Sequence, residues 1–268
     1  MTKAVIFTIG TDPEFFPRQN GKIVSVAGKL GCTKDQKLEL APDVRLQEDN
    51  VLAEFDINPQ SGFVAFNENV KRGLDLVNAK LNEHNMELAY GVSSHIYTKE
   101  EMESFDKSAF VFGCTPDFNA FTGQKNPSPQ AANAGLRTAG GHVHIGYGQT
   151  VPVDMKSQQC AGVLCDYYLS LLSVLMDTDT RRKELYGKAS CIRFKEYGIE
   201  YRSLSNFWVA EETHRKTVYE QVEKVVKNLN FDHLMELNAK LPIEKLHQII
   251  NTNDVKEADN FLSRLQVA

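Results

Sequence analysis

The stretch Gly140-Gly141-His142-Val143-His144-Ile145-Gly146 decides the reading of this chain. Residues two apart on a strand point to the same face, so the two imidazoles stand side by side. The flanking glycines let another backbone or a phosphate come close. Two other segments repeat the arrangement. Asp12-Pro13-Glu14 offers two carboxylates two apart, and Gly198-Ile199-Glu200-Tyr201-Arg202 offers a carboxylate and a guanidinium at the same spacing. Three strand-like segments that each present a pair of metal- or phosphate-handling groups predict a sheet whose open face is an active site.

Working outward, residues 4–9 read as a buried strand ending at the acidic pair. Gln19-Asn20-Gly21-Lys22 is a hairpin signal, with residues 22–27 as the return strand. Residues 28–42 read as a polar loop and 50–57 as a strand. Apolar residues at Phe63, Phe66, Val70, Leu74, Val77 and Leu81 predict a helix over residues 63–84. Residues 87–97, 142–147 and 198–204 read as strands, and Lys99 starts a short helix or turn. Residues 118–133 hold Gly123, Pro127 and Pro129 and form a loop. Residues 154–176 read as an amphipathic helix, 178–187 as a basic connector, 209–229 as a helix and 242–265 as two short helices. Early strands with irregularly interspersed helices favour an α+β fold over a doubly wound parallel sheet. No repeat or interdomain linker is visible, so residues 1–268 read as one domain with 218–268 as a C-terminal helical extension.

Composition is that of an ordinary globular chain: 268 residues, 42% hydrophobic and 24% charged. A net charge of -5 and a pI near 5.8 argue against coating nucleic acid by charge alone. Cys32, Cys114, Cys160, Cys165 and Cys191 are scattered and form no C-x-x-C pair. They read as reduced thiols of a cytoplasmic protein, with a catalytic thiol as the minor alternative. The apolar start is too short for a signal peptide, and no apolar run is expected to reach the ~18 residues of a membrane span. Oligomeric state is left open.

Each candidate group has a plain alternative. Asp12 and Glu14 can coordinate a hard divalent cation or be solvated charges at a strand end. Glu48 and Glu54 are six apart, so on one regular strand they share a face, with Asp49 on the other. The alternative is an edge strand whose charges block aggregation. His142 and His144 can both be ligands, one can be a ligand and the other a phosphate contact, or both can be hydrogen-bonded polar residues. Glu200 and Arg202 can serve metal and phosphate or form a sheet ion pair. Arg181, Arg182, Lys188 and Arg193 can add phosphate donors, although a solvated basic face suits at least two of them. His84, His95, His214, His233 and His247 read as surface or core residues. No P-loop and no Gly-x-Ser-x-Gly occurs, so metal and electrostatics would have to carry the chemistry.

Taken in order, these pieces resemble the glutamine-synthetase-like carboxylate–amine ligases, and among them the type-2 amidoligase group found in phage genomes. The matching phrases are residues 10–15, 47–51 with Glu54-Phe55, 112–120, 136–144, 179–182 with 185–189, and 197–208. The resemblance implies a curved, mainly antiparallel sheet with helices on one face and a funnel-shaped site. It implies a metal set of Asp12, Glu14, Glu48, Glu54, His142 or His144, and Glu200, holding magnesium, with manganese as an alternative. It also implies ATP phosphate contacts from Arg202, with Arg137, Arg181, Arg182, Lys188 and Arg193 beside it. Glu200, Arg202, His142 and His144 would then be the catalytic residues. The larger ligases carry Glu-x-Glu where this chain has Asp-Pro-Glu.

The implied reaction joins a carboxylate to an amine through an acyl phosphate, with small-molecule or peptide substrates and, for a phage-encoded protein, the host cytoplasm as its location. Residues 118–133 would be the lid. The rivals are a kinase on the same fold, a metal-dependent amidohydrolase and a non-catalytic binding protein.

Overall fold

From Thr8 to Phe15 (β1) the side chains alternate. Ile9, Thr11 and Phe15 are buried, whereas Thr8, Gly10, Asp12 and Glu14 line an open cavity. A half-buried strand requires this alternation. The acidic pair therefore sits within the first strand and not beyond its end. The computed structural model describes residues 5–110, 117–127 and 133–265. Its further strands are Pro17–Gln19 (β2), Lys22–Ile23 (β3), Leu38–Ala41 (β4), Val44–Asp49 (β5), Leu52–Ile57 (β6), Glu87–Leu88 (β7), Ser94–Ile96 (β8), Phe118–Asn119 (β9), Leu136–Thr138 (β10), Gly141–Gly146 (β11), Cys191–Lys195 (β12) and Gly198–Tyr201 (β13). The helices are Phe63–Asn82 (α1), Lys99–Ser104 (α2), Met155–Met176 (α3), Glu212–Lys227 (α4), Phe231–Lys240 (α5), Ile243–Thr252 (α6) and Val255–Leu265 (α7).

Among the described residues, eight strands form one sheet in the order β4-β5-β6-β1-β11-β13-β12-β9, and every pairing in it is antiparallel. One face is apolar. Ala53, Phe55, Val143, Ile145, Ile192, Ile199 and Tyr201 are buried there, under α1 on one half and α3 on the other. The expected α+β class, with a mainly antiparallel sheet and helices on one face, is the observed one. The helix–sheet approach is close at Gly73 of α1, where the Phe55 ring leaves no room for a Cβ.

The helix over residues 154–176 departs from expectation. Between Ser157 and Val174 none of its residues is exposed, because α4, α5, α6 and α7 pack on the side away from the sheet. Met155–Met176 is long and apolar enough to cross a membrane by length and composition, contrary to the sequence reading. Its most apolar window is 72% buried, which is the condition of a core helix. Within it, the segment Asp166–Ser170 is a π-turn. The wholly buried Asp166 carboxylate accepts from the Ser190 N–H (2.8 Å), the Ser190 hydroxyl (2.5 Å) and the Tyr201 hydroxyl (2.6 Å), and lies 3.0 Å from His247 Nε2. That network ties the helical layer to β13, one residue from Glu200.

Other differences have local causes. Residues 87–97 are two strands, because Gly91 turns at φ 73° and sends β7 to β2 and β8 to β10. The hairpin at Asn20-Gly21 forms as read, with φ 49° and 78°, but its return strand ends at Ile23. Residues 28–42 contain β4, and β12 and α5 were not anticipated. Asn230 caps α5 by accepting from the His233 N–H at 2.8 Å. Val218, where the sequence reading starts the C-terminal helical extension, lies within α4. Cys114, residues 112–116 of one matched phrase and residues 128–132 of the expected lid lie outside the described residues.

Candidate active site on the open face of the sheet

Register brings the three signal segments together. Asp12 of β1 is opposite His142 of β11, Gly10 is opposite His144, and His144 is opposite Glu200 of β13. On the other side Glu14 pairs with Glu54 of β6, and Arg193 of β12 pairs with Glu200. Directly paired residues share a face. Five adjacent strands thus carry one row of charged groups into a cavity of about 650 Å³.

Among the described residues two trios of donor atoms form there, Asp12–His144–Glu200 and Glu14–Asp49–Glu54, and within each trio the donors lie within 4.8 Å of one another. Asp12 Oδ1 is 3.2 Å from His142 Nδ1 and 3.1 Å from His144 Nε2. It is shut off from solvent and has hydrogen-bond geometry with neither ring. Burial pushes the Asp12 carboxyl up, but the neighbouring His144 and His142 overcome this and hold it well below the usual carboxylate range. Burial works against protonating His144, yet the Asp12 carboxylate raises it above its ordinary value. His144 Nδ1 meets the Tyr197 hydroxyl at 2.5 Å, which orients the ring. His142 is more deeply buried and stands behind the trio, with Arg202 3.4 Å from its Nδ1.

The second trio is a concentration of like charge. Burial first, then the charges of Asp12, Asp49 and Glu14, push the Glu54 carboxyl well up. Burial first and Glu14 second lift Asp49 to about 6. Glu14 accepts from the Gly140 N–H at 2.6 Å, and Glu54 from the Gln47 amide at 2.6 Å. Carboxylates kept close at this cost could hold a hard divalent cation.

Cations surround Glu200. Arg193 is 3.0 Å from its Oε1, Lys195 is 2.8 Å from its Oε2, and Arg202 is in direct contact. Burial would raise Glu200, but Arg202 leads the opposing charges that hold it at about 2. Asp117 braces Arg202 from behind, 3.7 Å from its Nε. Arg182 is buried at the cavity wall. It donates to the carbonyls of Ser203 (3.1 Å) and Arg202 (3.3 Å), and its Nε lacks a hydrogen-bond partner. Arg137 also reaches the wall, although it donates to Asn50 Oδ1 (3.0 Å) and to the carbonyls of Ala134 (2.9 Å) and Leu136 (3.0 Å).

Three expected site residues are elsewhere. Glu48 is on the opposite face of β5, where it accepts backbone N–H groups from Gly28, Leu30 and Gly31. Asp49, expected to point away, takes its place. The cause is the two-residue turn at Asn50-Val51, with Asn50 at φ 61°. It makes 48–57 a hairpin, and in the observed register Gln47 pairs with Glu54, which puts odd-numbered residues of β5 with even-numbered residues of β6. Arg181 and Lys188 are exposed and line no part of the cavity. Arg181–Glu184 is a 3₁₀ turn, whose consecutive side chains diverge by about 120°, so only Arg182 of it is buried. Besides Asp49, the reading missed Lys195 and Tyr197 at the cavity and Asp117 behind it. Lys195 was legible, being two residues from Arg193 on one strand, whereas the others depend on pairing. His95, His233 and His247 sit against aromatic rings as surface or core residues.

Fold and site together set two clusters of carboxylate and imidazole donors beside three cationic side chains on one face of an antiparallel sheet. The family model described as "Phage phiEco32-like COOH.NH2 ligase-type 2" matches residues 134–244, a stretch holding β10 to β13 with His142, His144, Glu200 and Arg202. This match bears out the resemblance to carboxylate–amine ligases read from the sequence. Among solved structures, one described as "Crystal structure of novel glutamine synthase homolog" aligns at 12% identity with TM-score 0.39, covering 93% of this chain and 67% of its own. Another, a GmaS/ADP complex, aligns at 9% identity with TM-score 0.42, covering 98% and 70%. No curated protein matches the sequence.

Proposed function

We propose that the protein is an ATP- and magnesium-dependent carboxylate–amine ligase working through an acyl phosphate. The observation that carries this is the pair of donor trios side by side on one sheet face, flanked by Arg193, Arg202 and Lys195. The donors fit the metal: they are oxygens and one imidazole, the set that magnesium or manganese takes, and the buried Asp12 Oδ1 is left with no hydrogen-bond partner. Asp12, His144 and Glu200 would hold one ion, and Glu14, Asp49 and Glu54 another. A metal held there would supply positive charge against the phosphate oxygens. Arg202 and Arg193 stand where their planar forks can bind phosphate oxygens. Arg182, held by two carbonyls, lends positive charge to the wall. His142 keeps the Asp12 carboxylate ionised and braces Arg202. Residues 218–268 serve as a helical extension of one catalytic domain.

The test is ADP release across a panel of amino acids and polyamines, with mass spectrometry of the product. The expected product is an amide formed with stoichiometric ADP and phosphate. A phosphorylated acid that accumulates whatever amine is supplied would instead make the protein a kinase. Hydrolysis of an amide without ATP, on zinc, would make it an amidohydrolase.

A further inference from the structure

Glu48 anchors the segment that covers the acidic end of the cavity. Its carboxylate accepts from the N–H groups of Gly28 (2.7 Å), Leu30 (2.6 Å) and Gly31 (3.2 Å). Gly28 and Gly31 have φ of 72° and 71°, the left-handed backbone that turns successive N–H groups toward one anion. Leu30 and Cys32 are buried in the core, so the base of the segment is fixed. Above it, Thr33 and Gln36 close a tight turn through reciprocal backbone hydrogen bonds of 3.0 and 3.2 Å, with Lys34 and Asp35 at its tip against the cavity. Lys37 is committed, 2.7 Å from Asp56. Lys34 makes no ion pair among the described residues, and its charge acts on Asp49 of the second trio.

We propose that residues 28–37 form an anion-binding loop, pinned by Glu48, in which Lys34 binds the phosphate tail of the nucleotide at the Glu14–Asp49–Glu54 end of the cavity. This rests on the ligase reading. The carboxylates of that end repel a triphosphate wherever metal leaves charge uncompensated, and an uncommitted cation on a stiff turn offsets the repulsion. The pinning matters because a lysine on a loose loop loses more freedom when it binds.

Full-length protein is titrated calorimetrically with ATP and, separately, with inorganic tripolyphosphate, each with magnesium. Lys34→Ala should weaken both by about tenfold, the scale of one charged hydrogen bond. Lys34→Glu should weaken them further, and Lys34→Arg should bind like the wild type. The unfolding midpoint of Lys34→Ala should not move. Glu48→Gln should reproduce the loss seen in Lys34→Ala, and the double variant should be no weaker than either single one. If Glu48→Gln fails to fold, Gly31→Ala replaces it, since that site has open space for a Cβ and only its φ of 71° resists the change. Unchanged affinity in Lys34→Ala overturns the loop proposal and leaves the ligase reading intact. Additive losses in the double variant overturn the pinning role. Wild-type protein that binds neither probe refutes the ligase reading, and the loop proposal with it.

Discussion

Metal binding at the Glu14–Asp49–Glu54 trio should displace protons, and the amount follows from the structure. Burial and Glu14 place the Asp49 carboxyl at about 6. It is then about 90% protonated at pH 5 and about 10% at pH 7, so its release alone strengthens magnesium binding about tenfold between those values. Glu54, pushed well above the ordinary range, adds up to about another tenfold per pH unit while it still holds its proton. Without metal the sign reverses. A carboxyl whose folded value is raised binds more protons folded than unfolded, so the metal-free protein loses stability as pH rises from about 4 through 6. Asp49→Asn should remove this loss and raise metal-free stability at pH 7 by on the order of 1 to 3 kcal/mol. The same variant should lose the part of the stabilisation by magnesium that this trio supplies.

Calorimetric titration with magnesium at pH 5, 6 and 7, in buffers of different ionisation enthalpy, counts the protons directly. Thermal unfolding of wild type and Asp49→Asn, with and without magnesium, gives the stabilities. Metal affinity that is flat across this range with no proton release would refute the reasoning. So would an Asp49→Asn protein that is less stable than wild type yet stabilised by magnesium as strongly as wild type.

Glu200→Gln should unfold earlier by about 2–4 kcal/mol in denaturant melts, because it leaves the cations around a buried carboxylate uncompensated, and it should also weaken metal binding. Arg202→Lys keeps charge but loses the fork, so catalysis should fall at least tenfold in ADP-release assays while magnesium affinity changes little; equal metal loss in both variants would mark a purely structural pair. His144→Ala should weaken metal binding with little change in melting temperature, whereas the deeply buried His142→Ala should cost about 2 kcal/mol or more; similar melting for both would contradict the layering of the two rings. Gly73→Ala drives a methyl into the Phe55 ring and should cost about 1–3 kcal/mol by chemical denaturation, with a neutral result showing that α1 can shift outward.

Much of the site was legible from strand parity alone. Asp12 with Glu14, His142 with His144, and Glu200 with Arg202 are each two apart within a single strand, and the pleat forces each pair onto one face. The helix at residues 63–82 followed from apolar spacing. Which strands are neighbours is a long-range matter that no local period encodes. β1 meets β11, more than a hundred residues away, and only that pairing sets Asp12 between the two histidines.

The chain by itself determined which residue types lie on one side of each strand, because a two-residue repeat is local and steric. Tertiary structure decided which sides meet. Reading Glu48 and Glu54 as one strand put them together, whereas the turn at Asn50-Val51 reversed the chain, exchanged the parity and brought Asp49 into the cavity instead. Likewise Arg181 and Arg182 are equivalent as sequence, and only packing against Ser203 and Gly187 selected Arg182 for the wall. The physical reason is the same in both cases. A side chain's direction within its element is set by covalent geometry, but the company it keeps is set by the free energy of burying whole faces against one another.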